Sequence, residues 1–367
     1  MRILHTADWQ LGLRLGFIPE QKDRHRAQSL RFEALRTLAD LAKRHHVDAV
    51  VVCGDVFDDN EVGPDVVQQA VDMLRRFGPT PVALLPGNHD AATPDSVLKR
   101  LPPMDHLHIL TTPEPLTLGR LVLHPCPLTK RIRFTDPTAE LSPASEDGRF
   151  HLVMAHGGTI DLDPENPASN AIDLPRLLQK GYDYIALGDW HSLKEMDQRA
   201  WYPGAPEATR FKELDPGKAL LVELKEPGGT PSITPVKVAR SRWIKAAIQI
   251  DSDEDITQIE TLLEGLETRS ETLVQLTLNG QITLEGRARL ETLLQLAGEQ
   301  LLYLRLRMDH LMDAPSEEQA EWLQMAGVIG RVAERLEEEA LRDPGSSAQD
   351  ARRLLHRLMW EIQNDAS

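Results

Sequence analysis

Five short stretches of this 367-residue chain place carboxylates, imidazoles and amides directly after apolar runs. They are "ADWQ" (Asp8, Gln10), "GDVFD" (Asp55, Asp58), "GNHD" (Asn88, His89, Asp90), "AHGG" (His156) and "GDWH" (Asp189, His191). Carboxylate, imidazole and amide oxygen together suit Mn²⁺, Fe²⁺ or Zn²⁺. The supply exceeds what one ion needs and fits two, with a carboxylate as bridge. Two ions a few ångströms apart suit phosphoester displacement, because one activates water while both stabilise the charge that develops. Any single Gly-Asp after a strand is more often a turn or a helix cap than a ligand. Five such groups in this order, each closing an apolar segment, point to a metal site. His5, His45, His46, His106, His108, His124 and His151 lack that context and read as satisfied core or surface histidines.

The elements that must carry these groups follow from hydrophobic patterning. "MRILHTAD" reads as a first strand ending at Asp8. Apolar residues recur at helical spacing over 25–45, and "GPDVVQQAVDMLRRFG" is a second amphipathic helix. "VDAVVVCGD" and "TPVALLPGNHD" are short, continuous apolar runs, as expected of strands buried on both faces. Further strands are expected at "HIL", "LVLHP", "FHLVMAHG", "YDYIALGD" and "KALLVELK". The order β-α-β-α-β implies a layered α/β domain. In such sheets the ligand site lies beyond the carboxyl ends of the strands, so the five polar ends should meet on one rim.

The Gly, Pro and Ser cluster in "KEPGGTPSITP" marks a boundary, and the chemistry stops there. A small β-α-β-α-β domain is expected over about 243–310, followed by two amphipathic helices separated by "DPGSS". Trp322, Leu323, Ala326, Ile329, Val332 and Leu336 fall on one face of the first tail helix. Leu354, Leu355, Leu358, Met359 and Ile362 fall on one face of the second. Each face suits packing within the chain or docking on a partner's coiled coil.

Net charge is −16, the wrong sign for a chain that holds nucleic acid by its overall field. The excess is uneven: roughly −11 falls in residues 241–367 and about −5 in the first 240. Nucleic acid would therefore be met locally in the N-terminal portion, with metal ions offsetting phosphate charge. Cys53 and Cys126 sit in apolar surroundings and form no CxxC motif, so they read as buried thiols in a reducing compartment. No apolar run is long enough to span a membrane, and "MRILHTADW" is too short and polar for a secretory leader. The expectation is a cytoplasmic protein.

The ordered motifs resemble those of the calcineurin-like metallophosphoesterases: Asp-x-His, Gly-Asp-x-x-Asp, Gly-Asn-His-Asp/Glu, His, and Gly-His-x-His. The opening "MRILHTADWQLG" and the long tail resemble the SbcD-type DNA repair exonucleases in particular. The motif resemblance covers about residues 1–225. It implies a four-layer α/β/β/α sandwich with a small α+β capping domain and C-terminal helices. The implied domains are a nuclease domain over 1–240, a cap over 241–312 and a partner-binding segment over 313–367. It also implies two divalent ions, most naturally Mn²⁺. Asp8, Gln10, Asp55 and His191 would hold one, and Asp55, Asn88, His156 and Asp189 the other. His89 would contact the phosphate and act as general acid, with Asp90 orienting it. Asp58 would be a supporting group rather than a ligand.

Two positions depart from the family pattern. Gln10 stands where His is usual, and an amide oxygen is a weaker ligand than imidazole. Asp189 stands where the first His of Gly-His-x-His is expected. A carboxylate there is harder, favours Mn²⁺, and makes a bound water a weaker acid.

The resemblance implies a DNA exo- and endonuclease acting in end processing and repair with an SMC-like ATPase of the SbcC type, docked through the C-terminal helices. Arg14, Arg131 (with Lys130 and Arg133) and Arg210 (with Lys212) lie next to the motifs and are expected to touch phosphates, although each also reads as ordinary solvated surface. Trp9 and Trp190 lie inside motifs, placed to stack on a base or to pack beneath the site. Family members also dimerise through N-terminal helices, and the residues here leave a homodimer open. Two other readings stand beside the nuclease: a phosphodiesterase for small nucleotides, and a DNA-end and ATPase scaffold whose site is weakened by Gln10 and Asp189.

Overall fold

The computed structural model describes residues 1–159, 169–314 and 328–342, with positions 347–348, 351, 354–355 and 358 beyond them. The chain divides into two compact units, Met1–Arg242 and Trp243–Ser367.

The first unit holds two six-stranded sheets. One runs β12-β11-β1-β2-β3-β4. Its strands are β1 (Arg2–Thr6), β2 (Ala49–Cys53), β3 (Val82–Leu85), β4 (Leu107–Ile109), β11 (Lys218–Glu223) and β12 (Ser232–Lys237). The other runs β5-β6-β7-β8-β10-β9. It contains β5 (Leu116–Leu118), β6 (Leu121–Cys126), β7 (Phe150–His156), β8 (Tyr184–Gly188), β9 (Lys194–Asp197) and β10 (Ala200–Tyr202). Strands β1 to β4 are parallel to one another, as are β6, β7 and β8.

Strand alternation sorts the side chains into layers. Ile3, Ala49, Val51, Ala83 and Leu85 of the first sheet face Leu152, Met154, Tyr184 and Ala186 of the second in one apolar cluster. The intervening residues Leu4, Val50, Val52, Val82 and Leu84 pack against α1 (Gln21–Arg44) and α2 (Pro64–Arg75) through Leu35, Leu38, Ala70 and Leu74. Val153, Ala155, Ile185 and Leu187 pack against α3 (Leu174–Leu178). The result is helix, sheet, sheet, helix, the mixed α/β sandwich expected. Because both faces of the central strands are covered, these runs are apolar at every position rather than at alternate ones.

The Gly-Pro-Ser cluster differs from the expected linker. Gly228 turns the chain with φ 76°, and residues Ser232–Lys237 return as β12 along the edge of β11. Pro235 is accommodated because an edge strand has no outer neighbour that needs its missing N–H. The polar strand β9 gave no alternating signal; it is partly buried and pairs with β10, whose Ala200 and Tyr202 are in the core.

The second unit contains β13 (Arg242–Ile250), α4 (Ile256–Glu264), β14 (Thr272–Ile282), α5 (Leu284–Gln300) and β15 (Tyr303–Asp313). Its sheet runs β13-β14-β15, with Ile250, Ile259, Leu263, Val274, Leu276, Leu290 and Leu294 in the core. A further helix, α6, spans Val328–Arg342. Of the apolar tail faces, Val332, Leu354 and Leu358 are exposed. Trp322, Leu323, Ala326, Met359, Ile362 and the Ile329 side chain lie outside the described residues. No helix among the described residues is long and apolar enough to cross a membrane.

Candidate metal centre

The five polar stretches lie just past the carboxyl ends of β1, β2 and β3 in one sheet and at the ends of β7 and β8 in the other. Asp8, Asp55 and His156 are buried, and their ligand atoms lie within 4.8 Å of one another. The other groups join this nucleus. Asn88 Oδ1 is 2.8 Å from His156 Nε2, and Gln10 Nε2 donates to Asp55 Oδ2 at 2.8 Å. Asp189 Oδ1 is 3.7 Å from His156 Nε2, and His191 Nε2 is 3.8 Å from Asp8 Oδ1. All seven proposed ligands thus belong to one cluster.

Backbone strain concentrates here. Asp8 (φ 53°), Gln10 (49°), Asp55 (51°) and Asp189 (101°) all have positive φ without being glycine. Such conformations cost about 1–3 kcal/mol each and persist where surrounding structure imposes them. The imposing structure is a set of loop-to-loop hydrogen bonds: Asp8 N donates to the Gly54 carbonyl at 3.0 Å and Gln10 N to the Asp55 carbonyl at 2.9 Å. Asp189 N donates to both Asp8 carboxylate oxygens at 3.1 Å. Two glycines supply the clearance. A Cβ on Gly87 would stand 2.1 Å from Asp55 Oδ1, and one on Gly54 would stand 2.0 Å from His156 Nδ1.

The imidazoles are held in defined tautomers. His156 Nδ1 lies 2.8 Å from the Cys53 carbonyl, which can only accept, so Nδ1 carries the proton and Nε2 faces the carboxylates. His191 Nδ1 is placed the same way by Glu213 Oε1 at 3.0 Å and Thr209 Oγ1 at 2.9 Å. Thr209 also donates through its hydroxyl and its N–H to Glu213. Glu213 lies 22 residues from His191, and nothing in its local sequence signalled this role. Histidines that bind metals commonly have their second nitrogen fixed by a carboxylate in this manner.

Asp90 takes a different place from the one expected, beside His89. His89 Nδ1 lies 2.7 Å from the Asp58 carbonyl, with the Asp58 carboxylate at 3.8 Å. His89 Nε2 lies 3.9 Å from Asp55 Oδ2, and the ring keeps 27% of its surface open. The orienting contact thus comes from Asp58. The Asp90 carboxylate instead accepts from Val56 N at 2.8 Å, Phe57 N at 3.2 Å and Gly87 N at 2.7 Å. It ties the "GDVFD" loop to the "GNHD" loop. Burial and the Asp55 charge push its pKa up to about 6, against those hydrogen bonds.

The electrostatics favour a cation. Burial pushes the Asp8 carboxyl up to about 7; Asp55 and Asp189 add to the rise, and His191 and His156 oppose it. Burial works against charge on His156, yet Asp55, Asp8 and Asp189 together raise it to about 9. Several carboxylates packed without solvent draw positive charge to themselves, and a divalent ion supplies it at their centre. The spacing fits as well. Two ligands at right angles on an ion about 2.1 Å away stand about 3 Å apart, close to the separation of Asn88 Oδ1 and His156 Nε2.

Arg14, Arg131 and Arg210 are exposed; Arg14 follows the first motif, Arg131 lies on the loop after β6, which carries none of the five motifs, and Arg210 lies between β10 and β11. The two tryptophans separate. Trp9 is buried, donates from its indole to Thr6 Oγ1 and stacks on Phe77 with centroids 6.3 Å apart, so it packs beneath the site. Trp190 is exposed, with the Lys194 ammonium 5.1 Å from its ring centre. His5 and His151 are satisfied core histidines. His5 bonds Tyr184 and the Leu187 carbonyl, and His151 bonds His124 and Asp147.

Comparison with known proteins agrees with this geometry. A family model described as calcineurin-like phosphoesterase matches residues 1–222. The DNA double-strand break repair protein Mre11 of Saccharolobus solfataricus is 24% identical over 228 residues, covering 59% of this chain and 57% of that protein. The uncharacterized metallophosphoesterase YhaO of Bacillus subtilis is 26% identical over 246 residues, covering 64% and 59%. The SbcD subunit of the SbcCD nuclease of Bacillus subtilis is 27% identical over 274 residues, covering 62% and 67%. The match thus spans under two thirds of the first two relatives' own length.

Proposed function

Since the chain belongs to the calcineurin-like phosphoesterase family, we propose that it is a metal-dependent nuclease using two divalent ions, most naturally Mn²⁺, to hydrolyse phosphodiester bonds in DNA. The observation that carries this reading is the buried Asp8–Asp55–His156 cluster, ringed by Gln10, Asn88, Asp189 and His191. In this reading Asp8, Gln10, Asp55 and His191 hold one ion. Asp55, Asn88, His156 and Asp189 hold the other, with Asp55 shared. When bound, the ions polarise the phosphate and activate water for attack.

The chain's own residues do the rest. The Asp58 carbonyl keeps a proton on His89 Nδ1, so it is the imidazolium form of the ring that gives its second proton, from Nε2, to the departing oxygen and is left neutral. Asp90 keeps the two loops in register, and Glu213 aims His191. Arg14, Arg131 and Arg210 receive phosphates on either side of the cut.

The names of the relatives support the wider assignment to DNA end processing and repair. Residues 1–240 would form the nuclease domain, 241–312 a cap and 313–367 a helical segment that docks an SMC-like ATPase. The test is cleavage of linear duplex and single-stranded DNA in Mn²⁺. Cleavage by wild type that falls by at least about 100-fold in His89→Ala and Asp55→Ala supports the reading. Absence of wild-type cleavage ends it.

One observation favours a second reading, a scaffold with a weakened site. Gln10 presents its amide N–H to the Asp55 carboxylate, where the family's histidine would present a ligand nitrogen. Metal analysis separates the two readings: fewer than about one tightly held transition metal per chain supports the scaffold.

A further inference from the structure

In the first unit, among the described residues, the large apolar side chains that stand in solvent are Ile132 (53% exposed), Phe134 (94%), Trp190 (39%) and Leu214 (91%). Apolar exposure of this kind is informative when it clusters. All four sit on segments bonded to the metal-centre loops. The segment carrying Ile132 and Phe134 is clamped by Asn170, whose side chain accepts from Arg133 N at 2.8 Å and donates to the Arg131 carbonyl at 3.1 Å. Asn170 N donates to the Arg133 carbonyl, completing the clamp. The Asn170 carbonyl in turn lies against Gly157, next to His156, where a Cβ would stand only 2.0 Å away. The start of the same segment accepts from the "GNHD" loop through Ala92 N to the Leu128 carbonyl at 2.8 Å. Trp190 separates Asp189 from His191. Leu214 follows Glu213, and its N–H donates to Ser192 Oγ at 3.1 Å.

Cations lie close to two of these groups. Lys130, Arg131 and Arg133 flank Ile132 and Phe134 in the chain, and Lys194 covers one face of Trp190; Leu214 lies between Glu213 and Asp215, with Arg210 and Lys212 upstream. Aromatic faces with interleaved basic groups suit a strand that offers bases and phosphates together. Any occupant of this rim is also continuous with whatever enters the metal centre, because the same loops build both. A base within a duplex has its faces covered by its neighbours. Only an unpaired or terminal base can lie on an aromatic ring.

We propose that Phe134, with Trp190 on the same rim, stacks on unpaired bases of a nucleic-acid strand whose phosphates rest on Arg131, Arg133 and Arg210, so that the site selects single-stranded or frayed ends over intact duplex. This inference rests on the nuclease reading above.

The test uses the full chain carrying His89→Ala, in Mn²⁺, so that the strand survives. Fluorescence anisotropy measures binding of a labelled single strand and of a blunt hairpin duplex, and quenching of 2-aminopurine in the single strand reports stacking. The parent should prefer the single strand and quench the probe. Adding Phe134→Ala should weaken single-strand binding about tenfold, abolish the quench and leave duplex binding unchanged. Phe134→Trp should restore both signals. A side chain 94% exposed contributes little to folding, so the melting temperature should stay constant. Equal single-strand affinity with and without Phe134, in a protein whose wild type cleaves DNA, overturns this inference and leaves the nuclease reading standing. A wild type that cleaves no DNA overturns both. A Phe134→Ala effect confined to vesicle binding or self-association assigns the rim to lipid or protein and overturns the inference.

Discussion

Glu213 Oε1 lies 3.0 Å from His191 Nδ1, and the other ring nitrogen points toward Asp8. The carboxylate fixes the ring's tautomer and rotation, so His191 presents a lone pair to the cluster without having to find it. The Glu213 hydrogen bond and the charges of Asp8 and Glu213 raise the His191 pKa, although burial opposes this.

Glu213→Gln keeps the shape and removes the charge. Metal affinity should fall by about 10–100-fold, read by calorimetric titration of the metal-stripped protein. Since the amide can still accept from Nδ1–H, Gln should retain more affinity than Ala. Equal affinity in wild type and both variants would show that His191 is positioned by something else.

Gly87→Ala places a methyl carbon 2.1 Å from Asp55 Oδ1 and 2.4 Å from Asp55 N. Neither can be accommodated without moving the proposed bridging carboxylate. A displacement near 1 Å should cost about 100-fold in turnover of a nitrophenyl phosphodiester, together with loss of bound metal by mass spectrometry. The substitution is conformationally mild elsewhere, so a variant that keeps its metal and its rate would remove Asp55 from the centre of the site.

Asp90→Ala leaves three N–H groups, those of Val56, Phe57 and Gly87, without their acceptor. Loss of a buried charged acceptor of this kind should cost about 3–5 kcal/mol. The urea midpoint should therefore drop even when metal is absent. A variant with unaltered stability and a slower proton-transfer step would instead return Asp90 to the role of orienting His89.

His5 is buried between the Tyr184 hydroxyl and the Leu187 carbonyl, and burial, with that carbonyl opposing, drives its pKa down to about 3. The ring stays neutral in the folded protein while the unfolded chain gains a proton near the ordinary histidine value of about 6.5. Between those pH values the unfolded state binds more protons. Stability should therefore be fully present above about 6.5 and be lost as pH falls toward 3, by up to about 1.4 kcal/mol per pH unit from this residue. Urea titrations across that window should show a shallower slope in His5→Gln. An identical slope would mean that other groups set the acid limb.

The chemistry of the site was legible because it is written locally. "VVVCGD" and "ALLPGNHD" change from apolar to polar within two residues, at the point where each strand leaves a core covered on both faces. Burial on both sides forbids polar side chains before that point, and the ligands must begin where it ends. Motif order then carried the family and the layered α/β class. The strands at 194–197 and 232–237 were not legible. One is polar and only partly buried, and the other is mostly exposed and contains a proline, so neither bears the apolar–polar alternation by which a strand shows itself in sequence.

What the chain determines by itself is therefore which atoms reach the rim. Which of them support others was decided by tertiary structure alone, because each supporting bond joins residues with no local pattern in common. Asp90, adjacent to His89, turns away to hold a loop 34 residues back. Asp58 lies 31 residues back and takes the place beside the ring. Glu213 reaches His191 across 22 residues, and Asn170 reaches Arg133 across 37. A carboxylate or amide binds whichever donor the fold brings within about 3 Å, and that distance exists only once distant strands have paired into sheets and the loops at their ends have come together.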